Sequence, residues 1–265
     1  MKDMIHFSIY LFICIQQIVS RLKTIFQNKP LLGRDQIARY VFYMTKAKIG
    51  ILMLDTQIHR PVGDVGNQET FPFPVIYKKV KGASISRVVK TGEAELIGPF
   101  VQAAKELEKD GVKAITTSCG FLAIFQKEIQ KQLAVPFFSS SLLQIPMASI
   151  TAGEPVGIIT ASKSSLTSAH FKGVDALCHH TVIQGMDEMP AFYGAIIQEK
   201  IALDEKAAAE EMKQVTAAFV AKNPELKAII LECTNMPPYK THLREVTDLP
   251  IYDITTLVNY LHLTI

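Results

Sequence analysis

Lys113-Ala114-Ile115-Thr116-Thr117-Ser118-Cys119-Gly120-Phe121 and Lys227-Ala228-Ile229-Ile230-Leu231-Glu232-Cys233-Thr234-Asn235 are two versions of one pattern, displaced by 114 residues. Each opens on Lys-Ala-Ile, runs through a compact apolar stretch and arrives at a cysteine. The same offset carries Phe125 onto Tyr239, Ile129 onto Leu243, Pro136 onto Pro250 and Leu143 onto Leu257, with no gap. Self-similarity at a fixed period marks a repeated structural unit. Here each copy reads as a buried strand, a turn carrying Cys, a helix, then a Pro and a further strand.

The chain on either side has the same character. Candidate strands fall at residues 49–54, 114–117, 135–139, 156–160, 181–184, 228–231 and 251–253. They are short runs rich in β-branched residues with little polar alternation, as expected of strands covered on both faces. Helical patterns separate them. Residues 93–109 set Leu96, Phe100, Ala103, Ala104 and Leu107 on one face, with Gly111 as a stop signal. Residues 204–222 begin at a capping Asp204. Alternation of this kind predicts an α/β fold: two similar Rossmann-like domains with mainly parallel sheets, related by a pseudo-twofold axis. A weaker echo of Ile49-Gly50-Ile51-Leu52 in Val156-Gly157-Ile158-Ile159 supports the duplication. The expected division is an N-terminal extension over 1–45, a first domain from 46–141 plus 236–265, and a second from 142–235. Ligands of open α/β sheets bind at the carboxyl ends of the strands, so the active site is expected between the domains, where both cysteines sit.

The two turns suggest a chemistry. A thiol at the start of a helix meets the positive end of the helix dipole and unpaired N–H groups, which lower its pKa; the same N–H groups can hold a carboxylate. Two thiols on opposite sides of one carbon can exchange its proton, one abstracting and the other returning a hydrogen to the opposite face. Such a reaction needs no cofactor. The bland alternative is that each cysteine is a small buried hydrophobe. Cys14 and Cys178 lack the strand–Cys–helix setting and read as structural or incidental. No C-x-x-C pair is present, which gives no support to a zinc or thioredoxin-type motif.

Thr117-Ser118-Cys119-Gly120-Phe121 and Glu232-Cys233-Thr234-Asn235-Met236-Pro237-Pro238 resemble the two signature turns of the aspartate/glutamate/hydantoin racemase superfamily. Ile51-Leu52-Met53-Leu54-Asp55-Thr56 resembles its first strand ending in Asp-Ser, and Ile251-Tyr252-Asp253 its late Ile-Asp strand. The resemblance extends over residues 46–265 and implies a cofactor-free enzyme of two domains, often dimeric, with Cys119 and Cys233 as acid and base. It also implies that Asp55, with Thr56 beside it, assists near the first cysteine. Gly120, Phe121, Thr234 and Asn235 would bind the substrate's carboxylate and ammonium, and Thr160 would contact substrate. The expected function is therefore amino-acid racemisation, with metal ions absent from the site. The superfamily's maleate isomerase-like and arylmalonate decarboxylase-like reactions are alternatives, as is a binding protein whose chemistry has lapsed. Family members usually carry Cys-Asn-Thr and Cys-Thr-His; Gly120, Phe121 and Asn235 depart from that, which leaves the substrate open.

Other features narrow the setting. Residues 59–67, His-Arg-Pro-Val-Gly-Asp-Val-Gly-Asn, read as an exposed turn-rich loop, although Arg60 could clamp a carboxylate. His179 and His180 read as surface or edge residues. With 28 Lys+Arg against 25 Asp+Glu, scattered without a basic stripe, nucleic acid is not an expected partner. The apolar stretch 5–19 is shorter than the roughly 20 residues a membrane-spanning helix needs, and it lacks the basic head and cleavage site of a signal peptide. The expectation is a cytoplasmic homodimer acting on a small carboxylate, without stable membrane insertion. Met44, just ahead of the first strand, is a candidate start of the functional chain.

Overall fold

The computed structural model describes residues 48–265. The extension 1–45, with Cys14 and the reading of Met44 as a start, lies outside the described residues. From Ala47 to Ile265 the chain forms one compact unit built on two four-stranded parallel sheets.

The first sheet orders its strands β2-β1-β3-β4, and the second β6-β5-β7-β8. In the first, β1 is Ile49–Met53, β2 Val75–Lys79, β3 Ala114–Thr117 and β4 Phe137–Phe138. In the second, β5 is Val156–Thr160, β6 Thr181–Gly185, β7 Ala228–Leu231 and β8 Ile251–Tyr252. The orders are identical once β1 is matched to β5, and the registers agree. Ile49 pairs with Ala114 as Val156 pairs with Ala228.

The repeat extends to single hydrogen bonds. Ile115 N–H donates to Pro136 O at 2.9 Å, and Ile229 N–H to Pro250 O at 2.8 Å. Ser118 N–H reaches Leu52 O at 2.9 Å, and Glu232 N–H reaches Ile159 O at 2.8 Å. Leu122 N–H and Met236 N–H each bond the preceding cysteine carbonyl at 3.2 Å. Two α/β units with mainly parallel sheets are thus present, as the repeat predicts.

Strands buried on both faces explain the apolar runs. Every residue of β3, β5 and β7 is buried. Full burial of each Ile or Leu is worth roughly 1.5–3 kcal/mol, so the central strands anchor both sheets. Helix Ile97–Lys109 covers the first sheet with Phe100, Ala104 and Leu107. Helix Glu205–Lys222 presents Met212, Val215 and Phe219, and its Asp204 cap accepts from Lys206 and Ala207 N–H at 3.0 and 3.1 Å.

Three points differ from the sequence reading. Strand β2 differs from the sequence reading: its sequence, Val-Ile-Tyr-Lys-Lys, is half-buried and ends in charge, because it lies at the sheet edge and, among the described residues, pairs only with β1. The last strand, β8, joins the second sheet through β7, although residues 236–265 were assigned to the first domain. Its continuation, helix Ile254–Thr264, does pack Leu257, Val258 and Leu261 with Ile49, Ile51 and Ala114 of the first sheet. Finally, the segments after the cysteines are not single long helices. Each is a 3₁₀ turn followed by a short α-helix: Gly120–Phe125 then Gln126–Gln130, and Pro237–Tyr239 then Lys240–Leu243.

Candidate active site

Because β3 and β7 are central in equivalent sheets, the turns that follow them meet. Thr234 Oγ1 donates to Ser118 O at 2.6 Å, tying one cysteine turn to the other. Ser118 Oγ accepts from Leu54 N–H at 3.0 Å, which binds the first turn to the end of β1. Thr117 Oγ1 accepts the Cys119 N–H at 3.2 Å. Cys119 and Cys233 then line one small cavity, each 7% exposed. Neither is in a disulfide, and Cys178 is exposed.

The cavity has a volume of about 20 Å³, room for roughly one water molecule. Its walls are mostly apolar, with Leu54, Ile58, Ile85, Val89, Ile196 and Ile197 among them. Phe121 joins them, held by an edge-on contact with the His170 ring at 5.4 Å between centroids. The polar contribution comes from the two cysteine turns and from Arg60.

Arg60 corrects the reading of residues 59–67 as an exposed loop. Its guanidinium Nη1 donates to Asp64 Oδ1 at 2.9 Å, with side-chain exposures of 12% and 0%. Asp64 also accepts from Gly66 N–H at 2.7 Å and from Asn235 Nδ2 at 2.6 Å. The loop reaches this position because it folds against the second cysteine turn. Gly63 has φ +104°, and a Cβ there would stand 2.9 Å from Pro238 Cα. Only glycine satisfies both the left-handed backbone and the close approach. Arg60 and Asp64 were legible as a charged pair at i,i+4; their burial was not, because Pro238 lies 175 residues further along the chain than Gly63.

The sequence-predicted site residues divide into two groups. Gly120, Phe121, Thr234 and Asn235 line the cavity with the cysteines. Asp55, Thr56 and Thr160 do not. Asp55 faces Lys79 at 3.5 Å and accepts from Gly82 N–H at 3.1 Å, and that N–H holds its carboxyl below the usual range. Thr56 Oγ1 accepts from Arg60 Nη2 at 3.5 Å. Thr160 is fully buried behind the cavity and donates to Glu232 Oε2 at 2.8 Å.

The expectation of acidified thiols is also corrected. Burial pushes Cys119 up to about 12, and the neighbouring Glu232 charge adds to the rise. Burial and Glu232 likewise hold Cys233 well above its ordinary value. The opposing influences are weaker: the Phe121 N–H, the Arg60 charge and the Leu122 N–H favour thiolate at Cys119. The 3₁₀ turn following each cysteine supplies local N–H groups without the summed dipole of a long helix. The two thiols are also unequal, since Cys233 Sγ donates to Asn235 Oδ1 at 3.5 Å. Glu232, which the sequence marks only as part of the second cysteine turn, is fully buried, and burial raises it to about 7.

Residues 85–258 match the family model described as Asp/Glu/Hydantoin racemase. The chain belongs to that family. Its fold is also that of an aspartate racemase homologue from Pyrococcus horikoshii OT3, at a TM-score of 0.52 and 15% identity over 78% of this chain and 92% of that one. Among curated relatives, a dimethylsulfoniopropionate lyase of Durusdinium sp. clade D is 31% identical, over 86% of this chain and 76% of its own. Dimethylsulfoniopropionate lyase 7 of Emiliania huxleyi is 29% identical, over 87% and 70%. The protein is therefore an enzyme of the racemase superfamily, but its relatives are named for a lyase reaction. Those names overturn the expectation of an amino-acid racemase. The family resemblance predicted the scaffold and the cysteine turns, while Gly120, Phe121 and Asn235 departed from the amino-acid members and left the substrate open. No helix among the described residues is long and apolar enough to cross a membrane.

Proposed function

We propose that the protein cleaves dimethylsulfoniopropionate, or a closely similar β-sulfonium carboxylate, by β-elimination. The observation that carries this reading is the company the cysteines keep. A partly buried cationic clamp, Arg60, and an apolar wall with one aromatic ring line a single cavity with both thiols. The substrate is a zwitterion with the same division: a carboxylate at one end and a dimethylsulfonium at the other. A guanidinium pairs with the carboxylate through two parallel hydrogen bonds. A soft sulfonium, weakly hydrated, suits the Phe121 face and the aliphatic walls. The names of the curated relatives point the same way.

The chemistry asks less of the site than racemisation does. One base removes the proton next to the carboxylate. The electron pair of that C–H bond becomes the new C=C bond as the β-carbon–sulfur bond breaks, and the sulfur leaves with its bonding pair. The products are dimethyl sulfide, acrylate and a proton on the base. Dimethyl sulfide departs neutral, so no acid is needed to receive it. Cys119 is the better base, because Phe121 N–H, Leu122 N–H and Arg60 all favour its thiolate. Cys233, whose thiol donates to Asn235, serves as the protonated partner, a hydrogen-bond donor toward charge that develops on the substrate. The cavity is smaller than this substrate, so entry requires its walls to part, a gating step common in enzymes that exclude water.

The test is direct. Purified protein is incubated with dimethylsulfoniopropionate, with dimethyl sulfide measured in the headspace and acrylate in solution. Equimolar release, lost in Cys119→Ala, is expected. Absence of both products, or undiminished release from Cys119→Ala, overturns the reading.

A further inference from the structure

Glu232 is a buried ionisable group beside both cysteine turns that the elimination leaves unused. It closes β7, directly before Cys233, and is 0% exposed. Its Oε2 accepts from Thr160 Oγ1 at 2.8 Å, whereas Oε1 is buried without a hydrogen-bond partner among the described residues. That free oxygen points at the other cysteine turn: a Cβ on Gly120 would lie 2.3 Å from Glu232 Oε1 and 2.2 Å from the Glu232 carbonyl oxygen. The carboxyl is thus wedged between the two cysteine turns, against the residue that follows Cys119. A carboxyl with one satisfied and one orphaned oxygen in a dry interior is expensive to leave without a partner, and a proton satisfies it.

We propose that Glu232 is the proton acceptor for Cys119. The Glu232 carboxyl and the Cys119 sulfur together hold one negative charge, which rests on the carboxyl until the sulfonium end of the zwitterionic substrate occupies the cavity. The step balances: Cys119-SH and Glu232-COO⁻ become Cys119-S⁻ and Glu232-COOH, with the net charge unchanged. The thiolate then takes the substrate's α-proton, and one proton is released to solvent per turnover. Glu232 acts through Cys119 and does not line the cavity, so it is a positioning residue. The titratable groups that bear on this arrangement are few. They are the two thiols, with Arg60 favouring the Cys119 thiolate and Asp64 opposing that of Cys233. At the end of β5 the Thr160 hydroxyl and the Ala161 N–H both favour the carboxylate. Burial lifts the Glu232 carboxyl to about 7, so it exchanges protons near neutrality.

The turnover arm of the test rests on the lyase reading; the labelling arm does not. Wild type and Glu232→Gln are alkylated with iodoacetamide from pH 6 to 11, below the wild-type Cys119 value of about 12, and the rate of Cys119 modification is followed by peptide mapping. With the carboxylate charge removed, the thiolate fraction rises, and Cys119 alkylation at pH 9 is expected to be at least tenfold faster. An unchanged rate overturns the proposal, even if the protein turns out not to cleave the sulfonium substrate. In turnover, the wild type is expected to show a rising limb of kcat near pH 7, where the acceptor loses its proton, and Glu232→Gln to lack it. Should Glu232→Gln fail to fold, Thr160→Val removes the hydroxyl that favours the carboxylate. The kcat limb should then move to higher pH, and a limb that stays in place overturns the proposal. A wild type inactive on the substrate, combined with faster Cys119 alkylation in Glu232→Gln, would sink the lyase reading and leave the Glu232 inference standing.

Discussion

Asn235 donates from its side-chain amide to the buried carboxylate of Asp64, 2.6 Å away across 171 residues of sequence. The same Asn235 accepts from the Cys233 thiol at 3.5 Å, and the same Asp64 holds Arg60 at 2.9 Å. A thiol and a guanidinium in one cavity are therefore joined by a chain of three hydrogen bonds. The position where family members usually carry His holds, in this chain, the residue that docks the 59–67 loop.

Asp64 is the central link, and its removal should cost more stability than that of any surface carboxylate. Asp64→Ala leaves Arg60, Gly66 N–H and Asn235 Nδ2 without their common acceptor. Removing one partner of a buried pair typically costs roughly 3–5 kcal/mol. Chemical denaturation of the two proteins should show a midpoint shift of that size, and a change below 1 kcal/mol would contradict the role given to Asp64.

Arg60→Lys should separate clamp from structure. Lysine keeps the charge but loses the fork that grips a carboxylate at two points. A charged hydrogen bond is worth roughly 1.5–3 kcal/mol, so kcat/KM for the sulfonium carboxylate should fall by about 10- to 100-fold, mainly through KM. Steady-state kinetics decide this; a KM within twofold of wild type would remove Arg60 from substrate binding.

Gly120→Ala tests the packing between the cysteine turns. The new methyl would meet Glu232 O at 2.2 Å and Glu232 Oε1 at 2.3 Å. The first contact is with backbone, which cannot swing aside, so the turns must separate. Overpacking of this kind costs roughly 1–3 kcal/mol or more. Thermal unfolding should report a lowered Tm, and alkylation of Cys119 should accelerate as its burial loosens.

Glu232 also gives stability a pH dependence of defined sign. Its carboxyl titrates near 4.5 when unfolded and at about 7 in the folded protein. Between those values the folded state binds more protons, so the contribution is fully present below pH 4.5 and is lost as pH rises to 7. The difference corresponds to roughly 3 kcal/mol. The stability gap between Glu232→Gln and wild type should therefore move in favour of the variant from pH 5 to pH 8. Parallel denaturation curves at the two pH values check it; an unchanged gap would mean that the carboxyl titrates normally.

The sequence by itself determined the scaffold. Fully apolar strands carry their own signature, because burial on both faces permits no polar alternation, and so residues 114–117, 156–160 and 228–231 were found at their true bounds. The 114-residue offset that joins Pro136 to Pro250 reappears as a pair of matching backbone hydrogen bonds. Both cysteines, Gly120, Phe121, Thr234 and Asn235 were readable as cavity residues, since strand ends and the duplication together fix where those turns must be.

Tertiary structure alone decided what those cysteines experience. Local signals pointed to acidified thiols, but desolvation depends on everything that packs around a group, and here burial outweighs the nearby N–H groups. Arg60 and Asp64 looked like solvent-exposed charge because charge usually is. Asp64 is buried and Arg60 mostly covered because Gly63 lets the loop lie on Pro238 and because Asn235 completes the shell of Asp64. Glu232 became visible for the same reason: its orphaned oxygen is defined only by Gly120, 112 residues earlier in the chain. A sequence records which groups are present and in what local pattern; the charge state of a buried site depends on partners that only folding brings together.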